Sequence, residues 1–302
     1  MDLFHVEAQD ERVVSLTRNN TDNRMAILKG ADYTYHDVKS VNQGSYGQIF
    51  SAVQIPGGQN VILKKVHKSQ QHRVALEISA GIKLKEENIE GVSRLLSYFE
   101  CGNCIWMVFE RVEGMDLFQC MSEAEFTPWN ERKVKRIALQ LLSTLHQVHE
   151  AGIRHKDIKL ENIMYSPQTK TATIIDFGLC ILGEDLTDDF AGSTEYACPE
   201  LLFYKSPYSA KAADVWSMGV TLFCLLYGVF PFNMDQTGLR LVLSSGVHPK
   251  PSFPTNVKVP SQARDLISRM LDLNAETRLT TSQALEHPWL KRKNSLLSLF
   301  SG

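Results

Sequence analysis

The sequence predicts an α+β protein in which a run of strands precedes a run of helices. From Tyr33 onward, apolar and polar residues alternate as they do in strands. Farther along the chain, a long amphipathic helix follows Pro128. The 302 residues, 43% of them hydrophobic, are enough for one large globular unit or for two lobes.

Composition argues against several classes of protein. The net charge of −2 gives no electrostatic reason to expect binding to nucleic acid or membrane. Six scattered cysteines in a chain of this length favour a reducing compartment, and residues 1–5 lack a signal-peptide pattern. We therefore expect a cytoplasmic protein, with an additional nuclear location as an alternative. We also expect no nucleic-acid or membrane partner, and a monomer or weak dimer.

The helix after Pro128 has clear signals at both ends. Thr127 is the predicted N-cap, Pro128 takes the first helical position and Gly152 ends the helix. Its apolar face recurs at steps of three and four residues: Val134, Ile137, Leu141, Leu145 and Val148.

The stretch 215–232 is nearly apolar and long enough to suggest a transmembrane helix. It contains Ser217, Gly219, Gly228 and Pro231, and it lacks the charged flanks of a stop-transfer segment. We therefore interpret this stretch as a buried core helix.

Two further strands flank residues 101–104, which read Cys-Gly-Asn-Cys and predict a hairpin. One Cys-x-x-Cys pair without a second pair or nearby histidines is a poor zinc site. Ordinary turn cysteines are the favoured interpretation.

The run 155–162, His-Lys-Asp-Ile-Lys-Leu-Glu-Asn, contains the groups that phosphoryl transfer needs. Lys159 and Asn162 lie two and five residues after Asp157. A carboxylate can orient an attacking hydroxyl, a cation can offset phosphate charge, and an amide oxygen can bind Mg²⁺.

This run resembles the catalytic loop of eukaryotic protein kinases, H-R-D-x-x-x-x-N, with Lys156 in place of the arginine. Other family motifs are similar and appear in order: the glycine loop with Asn42, Gly44 and Gly47, Lys64 after 61–63, Asp-Phe-Gly at 176–178, Cys-Pro-Glu at 198–200, and His-Pro-Trp-Leu at 287–290. The last of these resembles calmodulin-dependent-kinase-like enzymes. No P-loop pattern is present.

The resemblance implies a bilobal protein kinase fold. It implies a small antiparallel N-lobe sheet with one main helix and a larger, mainly helical C-lobe. The implied boundaries are an extension at 1–32, a kinase domain at 33–290 and a tail at 291–302. Within the domain, the N-lobe spans about 33–110, the hinge about 110–114 and the C-lobe about 115–290.

The resemblance also implies catalytic roles. Asp157 would orient the substrate hydroxyl and accept its proton, and Lys159 would offset charge on the transferred group. Lys64, held by Glu77, would bind the phosphates of ATP. Two residues would hold Mg²⁺, with Mn²⁺ as an alternative: Asn162 and Asp176.

The remaining nucleotide contacts also come from the resemblance. They lie on the glycine loop, the sheet, the hinge and the strands below it: Val41, Gly44, Ser45, Gly47, Ile49, Ile62, Lys64, Glu110, Val112, Asp116, Met164 and Ile175. Ile62 replaces a small alanine of the family and is expected to narrow the adenine pocket. Gly81 replaces a packed leucine and weakens its helix.

The resulting prediction is a serine/threonine kinase that uses Mg-ATP and acts on protein Ser and Thr hydroxyls. Lys159 is at the position typical of serine/threonine enzymes. The departures Asn42, Ile62, Gly81 and Lys156 keep a nucleotide-binding pseudokinase scaffold open as the alternative. A pure interaction domain is disfavoured, because it needs none of the polar groups.

Contacts in the activation segment are predicted as well. Ser193 is expected to contact Asp157 and Lys159, and Glu200 is expected to pair with Arg278.

Regulation and substrate preference are two further hypotheses. Asp189 stands where many kinases carry an activating phosphate, so its pairing with Lys156 would make the enzyme constitutively competent. A solvated acidic loop is the alternative. Three acidic residues match positions that bind arginine in basophilic kinases, namely Asp116, Glu161 and Glu195. Cys224 stands where such kinases often have a further acid.

Overall fold

The computed structural model describes residues 25–30, 32–44, 47–189, 191–203, 207–232 and 251–291. The chain divides into two compact units. The first comprises Met1–Glu113 and Ile175–Leu182, and the second comprises Gly114–Ile174 and Gly183–Gly302. The change from the first to the second unit falls inside the segment 110–114 that the resemblance assigns to the hinge.

One segment lies in a different unit from the one that the sequence predicted. The predicted C-lobe, 115–290, includes Ile175–Leu182, but this segment belongs to the first unit. Asp176 forms an ion pair with Lys64, and the Cys180 thiol donates to the Leu76 carbonyl at 3.7 Å. These contacts between residues far apart in sequence place the segment in the first unit.

The first unit is built on a six-stranded antiparallel sheet in the order β1-β2-β3-β4-β6-β5. Its elements follow one another along the chain: β1 Met25–Lys29, β2 Thr34–Gly44, β3 Gly47–Ile55, β4 Gln59–His67, α1 Gln71–Glu86, β5 Leu95–Cys101 and β6 Cys104–Glu110. Because β1 pairs with β2, the sheet begins upstream of the boundary predicted at Tyr33.

The sheet curls until its two edges approach each other. A Cβ on Gly30, just after β1, would lie 3.2 Å from the ring of Phe99 in β5. Inside the curl, the Phe99 ring stacks on Tyr35 at 5.6 Å and on Trp106 at 6.4 Å, centroid to centroid. The inside of the curl is therefore a buried aromatic core.

Helix α1 packs on the sheet through a second apolar cluster, which includes Val74 and Ile78 of the helix and Leu95 of β5. Gly81 explains how close this packing is. A Cβ at this position would lie 2.8 Å from the Leu95 Cβ, closer than two carbon atoms can pack. The glycine that the sequence marks as a weak point of the helix therefore permits a close helix–strand contact.

From residue 115 the elements are mostly helices and short strands. In chain order they are β7 Met115–Asp116, α2 Leu117–Glu123, α3 Glu131–Glu150, β8 Ile153–Arg154, β9 Ile163–Ser166, β10 Thr171–Ile174, β11 Ile181–Leu182, β12 Leu186–Thr187, α4 Pro199–Phe203, β13 Tyr208–Ser209, α5 Ala210–Tyr227, α6 Ser261–Met270 and α7 Thr281–Leu285. In the second unit, β10, β9 and β7 form one sheet in that order, and β12 pairs with β13.

Helix α3 has the predicted buried face but begins later than predicted. Its five predicted core residues are at most 1% exposed. The N-cap is Asn130, whose side chain accepts from the Arg132 N–H, rather than Thr127. The Trp129 N–H donates instead to the Leu225 carbonyl in α5 at 2.9 Å, so this residue joins two elements before the helix starts.

The apolar stretch from Val215 lies largely in α5, which is buried along most of its length and ends at Gly228 in the left-handed conformation. The interpretation of the stretch as a buried core helix is confirmed. Among the described residues, every helix is too short or too polar to span a bilayer.

Candidate active site

In the first unit, Lys64 of β4 is held by two carboxylates. Its Nζ lies 2.8 Å from both oxygens of Glu77 in α1 and 2.6 Å from Asp176 Oδ1. The Lys64 and Glu77 side chains are 7% and 4% exposed. Burial alone would lower the pKa of Lys64, but the charges of Glu77 and Asp176 outweigh it and raise the pKa above its ordinary value. Lys64 is therefore a fixed cation at neutral pH.

Asp176 faces solvent as well as Lys64, because its side chain is 43% exposed. Its φ of 62° is left-handed, which is uncommon for a residue other than glycine. The Gly178 N–H donates to Asp176 Oδ1 at 3.2 Å. A Cβ on Gly178 would lie 2.8 Å from Lys64 Nζ, so a glycine here leaves room for the ion pair.

The predicted nucleotide contacts of the first unit lie mainly on its sheet. Ile49 is the cross-strand partner of Lys64, and Ile62 is that of Phe109. Since cross-strand partners and residues two apart share a face, Ile49, Ile62 and Lys64 are neighbours. The other contacts in this unit are Val41, Gly44, Gly47, Glu110, Val112 and Ile175. Ser45 lies outside the described residues.

Two bulky residues face each other on this sheet. Ile62 and Phe109 are directly opposite across β4 and β6. Ile62 is expected to narrow an adenine pocket, and the aromatic ring of Phe109 lies directly beside it on the sheet.

In the second unit, three predicted site residues converge with Ser193. Asp157 Oδ2 accepts from Lys159 Nζ at 2.7 Å and from Asn162 Nδ2 at 2.9 Å. Ser193 Oγ donates to Asp157 Oδ1 at 3.0 Å and accepts from Lys159 at 2.8 Å. The predicted contacts of Ser193 with Asp157 and Lys159 are confirmed.

The loop that carries Asp157 is held from below by Asp214 of α5, which is 1% exposed. Its carboxylate accepts from the N–H groups of His155 and Lys156 at 2.9 and 2.7 Å. His149 of α3 lies 2.9 Å from the same carboxylate. Lys156 has a φ of 64°, and these bonds stabilise that unfavourable backbone conformation.

Asp116 and Met164 are cross-strand partners in β7 and β9. The Asp116 Oδ1 caps α2 by accepting from the Gln119 N–H at 2.8 Å. The structure thus places these two predicted nucleotide contacts side by side in the second unit.

Two predicted site residues have the chemistry of Mg²⁺ ligands. Because the Asn162 amide nitrogen donates to Asp157, its carbonyl oxygen is the atom suited to bind a cation. Asp176 offers a partly exposed carboxylate. Within the described ranges, no group of three or more His, Cys, Asp or Glu side chains could hold a metal. Mg²⁺ commonly takes one or two protein ligands and completes its shell with phosphate and water, so each of these two residues is chemically suited to be such a ligand.

Two ion pairs hold the segment that includes Ser193. Lys156 Nζ lies 2.7 Å from Asp189 Oδ2, and the Arg278 guanidinium lies 3.0 Å from both oxygens of Glu200. Both pairings are those that the sequence predicted.

The contacts of two acidic residues near this segment, Asp185 and Glu161, were not predicted from the sequence. Asp185 accepts from Ser209 Oγ at 2.6 Å and from the Lys211 N–H at 2.8 Å, and Arg154 Nε lies 3.5 Å away. The Tyr196 hydroxyl donates to Glu161 at 3.2 Å. The acidic run 184–189 was the only signal for the first contact, and it does not say which acid finds which partner.

Comparison with known proteins gives a family. Residues 35–290 match the model of the protein kinase domain. The chain is 30% identical over 269 residues to serine/threonine-protein kinase ppk25 of Schizosaccharomyces pombe, with 86% of this chain and 61% of that protein covered. It is 32% identical over 276 residues to the calcium/calmodulin-dependent protein kinase type II subunit delta of Oryctolagus cuniculus, with 88% and 50% covered.

A third relative is covered more fully. The chain is 30% identical over 272 residues to a probable myosin light chain kinase of Dictyostelium discoideum, with 87% of this chain and 84% of that protein covered. By contrast, the chain spans only 61% and 50% of the length of the first two relatives. The chain belongs to the eukaryotic protein kinase family, and its relatives are serine/threonine kinases.

Proposed function

We propose that this chain transfers the γ-phosphoryl group of Mg-ATP to serine and threonine hydroxyls of protein substrates. One observation carries the proposal. The Asp157 carboxylate is held by Lys159, Asn162 and Ser193 at 2.7 to 3.0 Å, in a loop supported by a buried aspartate. A scaffold would gain nothing from holding a carboxylate in such a fixed position.

Each of these groups has a task in phosphoryl transfer. Asp157 orients the substrate hydroxyl and takes its proton, while Lys159 stabilises charge on the group in transit. Ser193 touches both side chains and keeps them in one geometry. In the first unit, the charged Lys64 binds nucleotide phosphate. Asn162 and Asp176 would hold Mg²⁺, which supplies counter-charge for the phosphates.

The test is transfer of labelled phosphate from Mg-ATP by the purified chain and by Asp157→Asn. We expect the variant to lose about 10²–10⁴-fold in rate, the usual contribution of a general base, and to keep nucleotide binding. Asp188→Asn, which changes an exposed carboxylate of the same unit, is the matched control and should keep its rate. Nucleotide binding with equal, background transfer by all three proteins would instead favour the pseudokinase scaffold.

We infer further that the enzyme needs no activating phosphorylation. Lys156 Nζ donates to the Asp189 carboxylate at 2.7 Å and to its carbonyl at 2.9 Å. The Lys156 side chain is 1% exposed, so a fixed carboxylate supplies the charge that a phosphate supplies in switched kinases. This pairing supports constitutive competence over a solvated acidic loop.

Phosphatase treatment tests this inference. Treated and untreated enzyme should phosphorylate at the same rate. Loss of activity after treatment, recovered by rephosphorylation of Thr187, would contradict constitutive competence.

We also propose a preference for substrates with arginine upstream of the acceptor. Glu161 and Glu195 are exposed carboxylates of the second unit, and Asp116 is partly exposed. Cys224 is 4% exposed, and both burial and the nearby Glu161 charge raise its pKa, so it contributes no acid. An arrayed-peptide scan should therefore show a moderate gain from arginine, and equal rates with and without it would refute the preference.

A further inference from the structure

The hairpin between β5 and β6 brings two thiols together. Cys101 ends β5, Cys104 begins β6, and the two residues are directly opposite across the strands. Gly102 has a φ of 58°, whereas the φ of Asn103 is not positive. A positive φ at only the first of the two turn residues is typical of a type II′ turn. A two-residue turn fixes the register, so these two side chains point to the same face.

The distance between the two residues suits a disulfide. Side chains directly opposite in an antiparallel pair have Cβ atoms about 4.5–5.5 Å apart, and a disulfide joins Cβ atoms about 3.5–4.5 Å apart. Both cysteines are free, partly exposed, and packed against the same aromatic core of the first unit. A small movement at the end of the hairpin would therefore bring the sulfur atoms into bonding distance.

We propose that Cys101 and Cys104 form a reversible dithiol–disulfide site that reacts with small disulfides such as oxidised glutathione. The thiolate of one cysteine attacks a sulfur of the small disulfide, which releases one glutathione thiolate and leaves a mixed disulfide. The second cysteine then attacks the protein sulfur of the mixed disulfide and releases the other glutathione. The two cysteines together lose two electrons and two protons. The oxidised glutathione takes up these electrons and protons and becomes two glutathione thiols.

The alternative for a Cys-x-x-Cys turn is a thiophilic metal. Such ions in structural sites take four protein ligands as a rule. Among the described residues, no histidine, further cysteine or carboxylate completes a metal-binding group with this pair. The geometry therefore favours disulfide chemistry.

The environment also orders the two attacks. Burial raises the pKa of Cys101, and the neighbouring Cys104 raises it further, so the thiolate form of Cys101 is disfavoured. We expect Cys104 to attack the small disulfide first and Cys101 to close the protein disulfide.

The hairpin is connected to a catalytic element of the first unit. The Asn103 carbonyl accepts from the Lys68 N–H at 2.9 Å, and Lys68 Nζ lies 2.5 Å from Glu100. Lys68 opens the short turn that leads into α1, the helix of Glu77. Closing the disulfide is therefore expected to change the rate of phosphate transfer, a consequence that rests on the proposed kinase activity.

The test treats the full chain with reduced and oxidised glutathione in varied ratio, quenches with acid, and then counts thiols by alkylation in denaturant and mass. The number of alkylatable thiols should fall by two from six, and the missing pair should map to the peptide with residues 101–104. Cys120→Ser, which removes another partly exposed cysteine, should still lose this pair. Of the single variants, Cys101→Ser should accumulate the mixed glutathione disulfide faster than Cys104→Ser.

Three results would overturn the proposal. One is persistence of both thiols under oxidising ratios, and another is a stable mixed disulfide that never closes in the parent chain. The third is protection of the pair from alkylation by zinc alone. The thiol count needs no kinase activity, so closure of the disulfide in a chain that transfers no phosphate would reject the proposed function and leave this site intact.

Discussion

Two ion pairs in the second unit hold the same segment in different ways. At Glu200, the Arg278 guanidinium contacts both carboxylate oxygens and the carbonyls of Asp272 and Ala212, and it lies 5.0 Å from the Trp216 ring. At Asp189, both acceptors of Lys156 belong to one residue, whose side chain is 38% exposed.

This difference separates a permanent anchor from a replaceable one. Arg278 is 0% exposed and its partners come from several elements, so its charge cannot be supplied in another way. Lys156 pairs with one partly exposed carboxylate. A phosphate group could take the place of a carboxylate at such a position. We therefore expect an ion pair to contribute more to the free energy of unfolding when its carboxylate is more deeply buried.

The largest effect is expected at the buried anchor. Glu200→Ala leaves a fully buried guanidinium without its carboxylate, which should lower the free energy of unfolding by about 3–5 kcal/mol. Urea unfolding measures this change. Glu195→Ala removes an exposed carboxylate from the same segment and should change the free energy by less than about 0.5 kcal/mol. Equal effects of the two variants would show that burial does not set the ranking.

A smaller effect is expected at Asp189. Asp189→Ala removes one charged acceptor of Lys156 but keeps the backbone carbonyl, so we expect a loss of about 1–3 kcal/mol in the free energy of unfolding. The rate of phosphate transfer should fall as well, since Lys156 adjoins Asp157. Asp188→Ala, an exposed neighbour, is the control for both measurements. If the Asp189→Ala variant were as stable and as active as the parent, the Lys156–Asp189 pair would contribute neither to stability nor to activity.

The smallest effect is expected at a third pair, His287 with Asp265, whose carboxylate is 50% exposed. Its hydrogen bond to His287 lowers the pKa of Asp265 below its ordinary value near 3.8. A lowered pKa means that the folded state favours the carboxylate. The contribution is therefore complete above the unfolded pKa and disappears as pH falls through the folded pKa.

Asp265→Asn should accordingly cost about 0.2–1 kcal/mol near neutral pH. Thermal unfolding of parent and variant, followed from pH 7 down to acid, should show their difference shrinking to zero. A difference that grows as the pH falls would mean that the assigned direction of the Asp265 pKa shift is wrong.

Local patterns predicted much of the fold and of the site contacts. The spacing of Val134 to Val148 gave the buried face of α3, and the Gly-Asn turn gave the β5–β6 hairpin. The resemblance to protein kinases was enough to expect the ion pair of Lys64 with Glu77. These features depend on periodicity or on the order of family motifs, and both can be read along the chain.

Features decided by distant contacts could not be predicted in the same way. The start of α3 moved to Asn130, because the Trp129 N–H bonds to a carbonyl almost a hundred residues away. The assignment of Ile175–Leu182 to the first unit depends on Lys64 and Leu76. The partners of Asp185 also come from other elements of the second unit. None of these partners leaves a mark in the local sequence.

The upstream strand has a practical consequence for anyone who prepares this protein. An expression fragment cut to residues 35–290, the span of the family match, would discard β1 and with it Leu28, which is 0% exposed. Strand β2 would then present a row of unsatisfied backbone groups, the kind of surface through which chains associate and precipitate. A fragment that starts ahead of Met25 keeps that row covered.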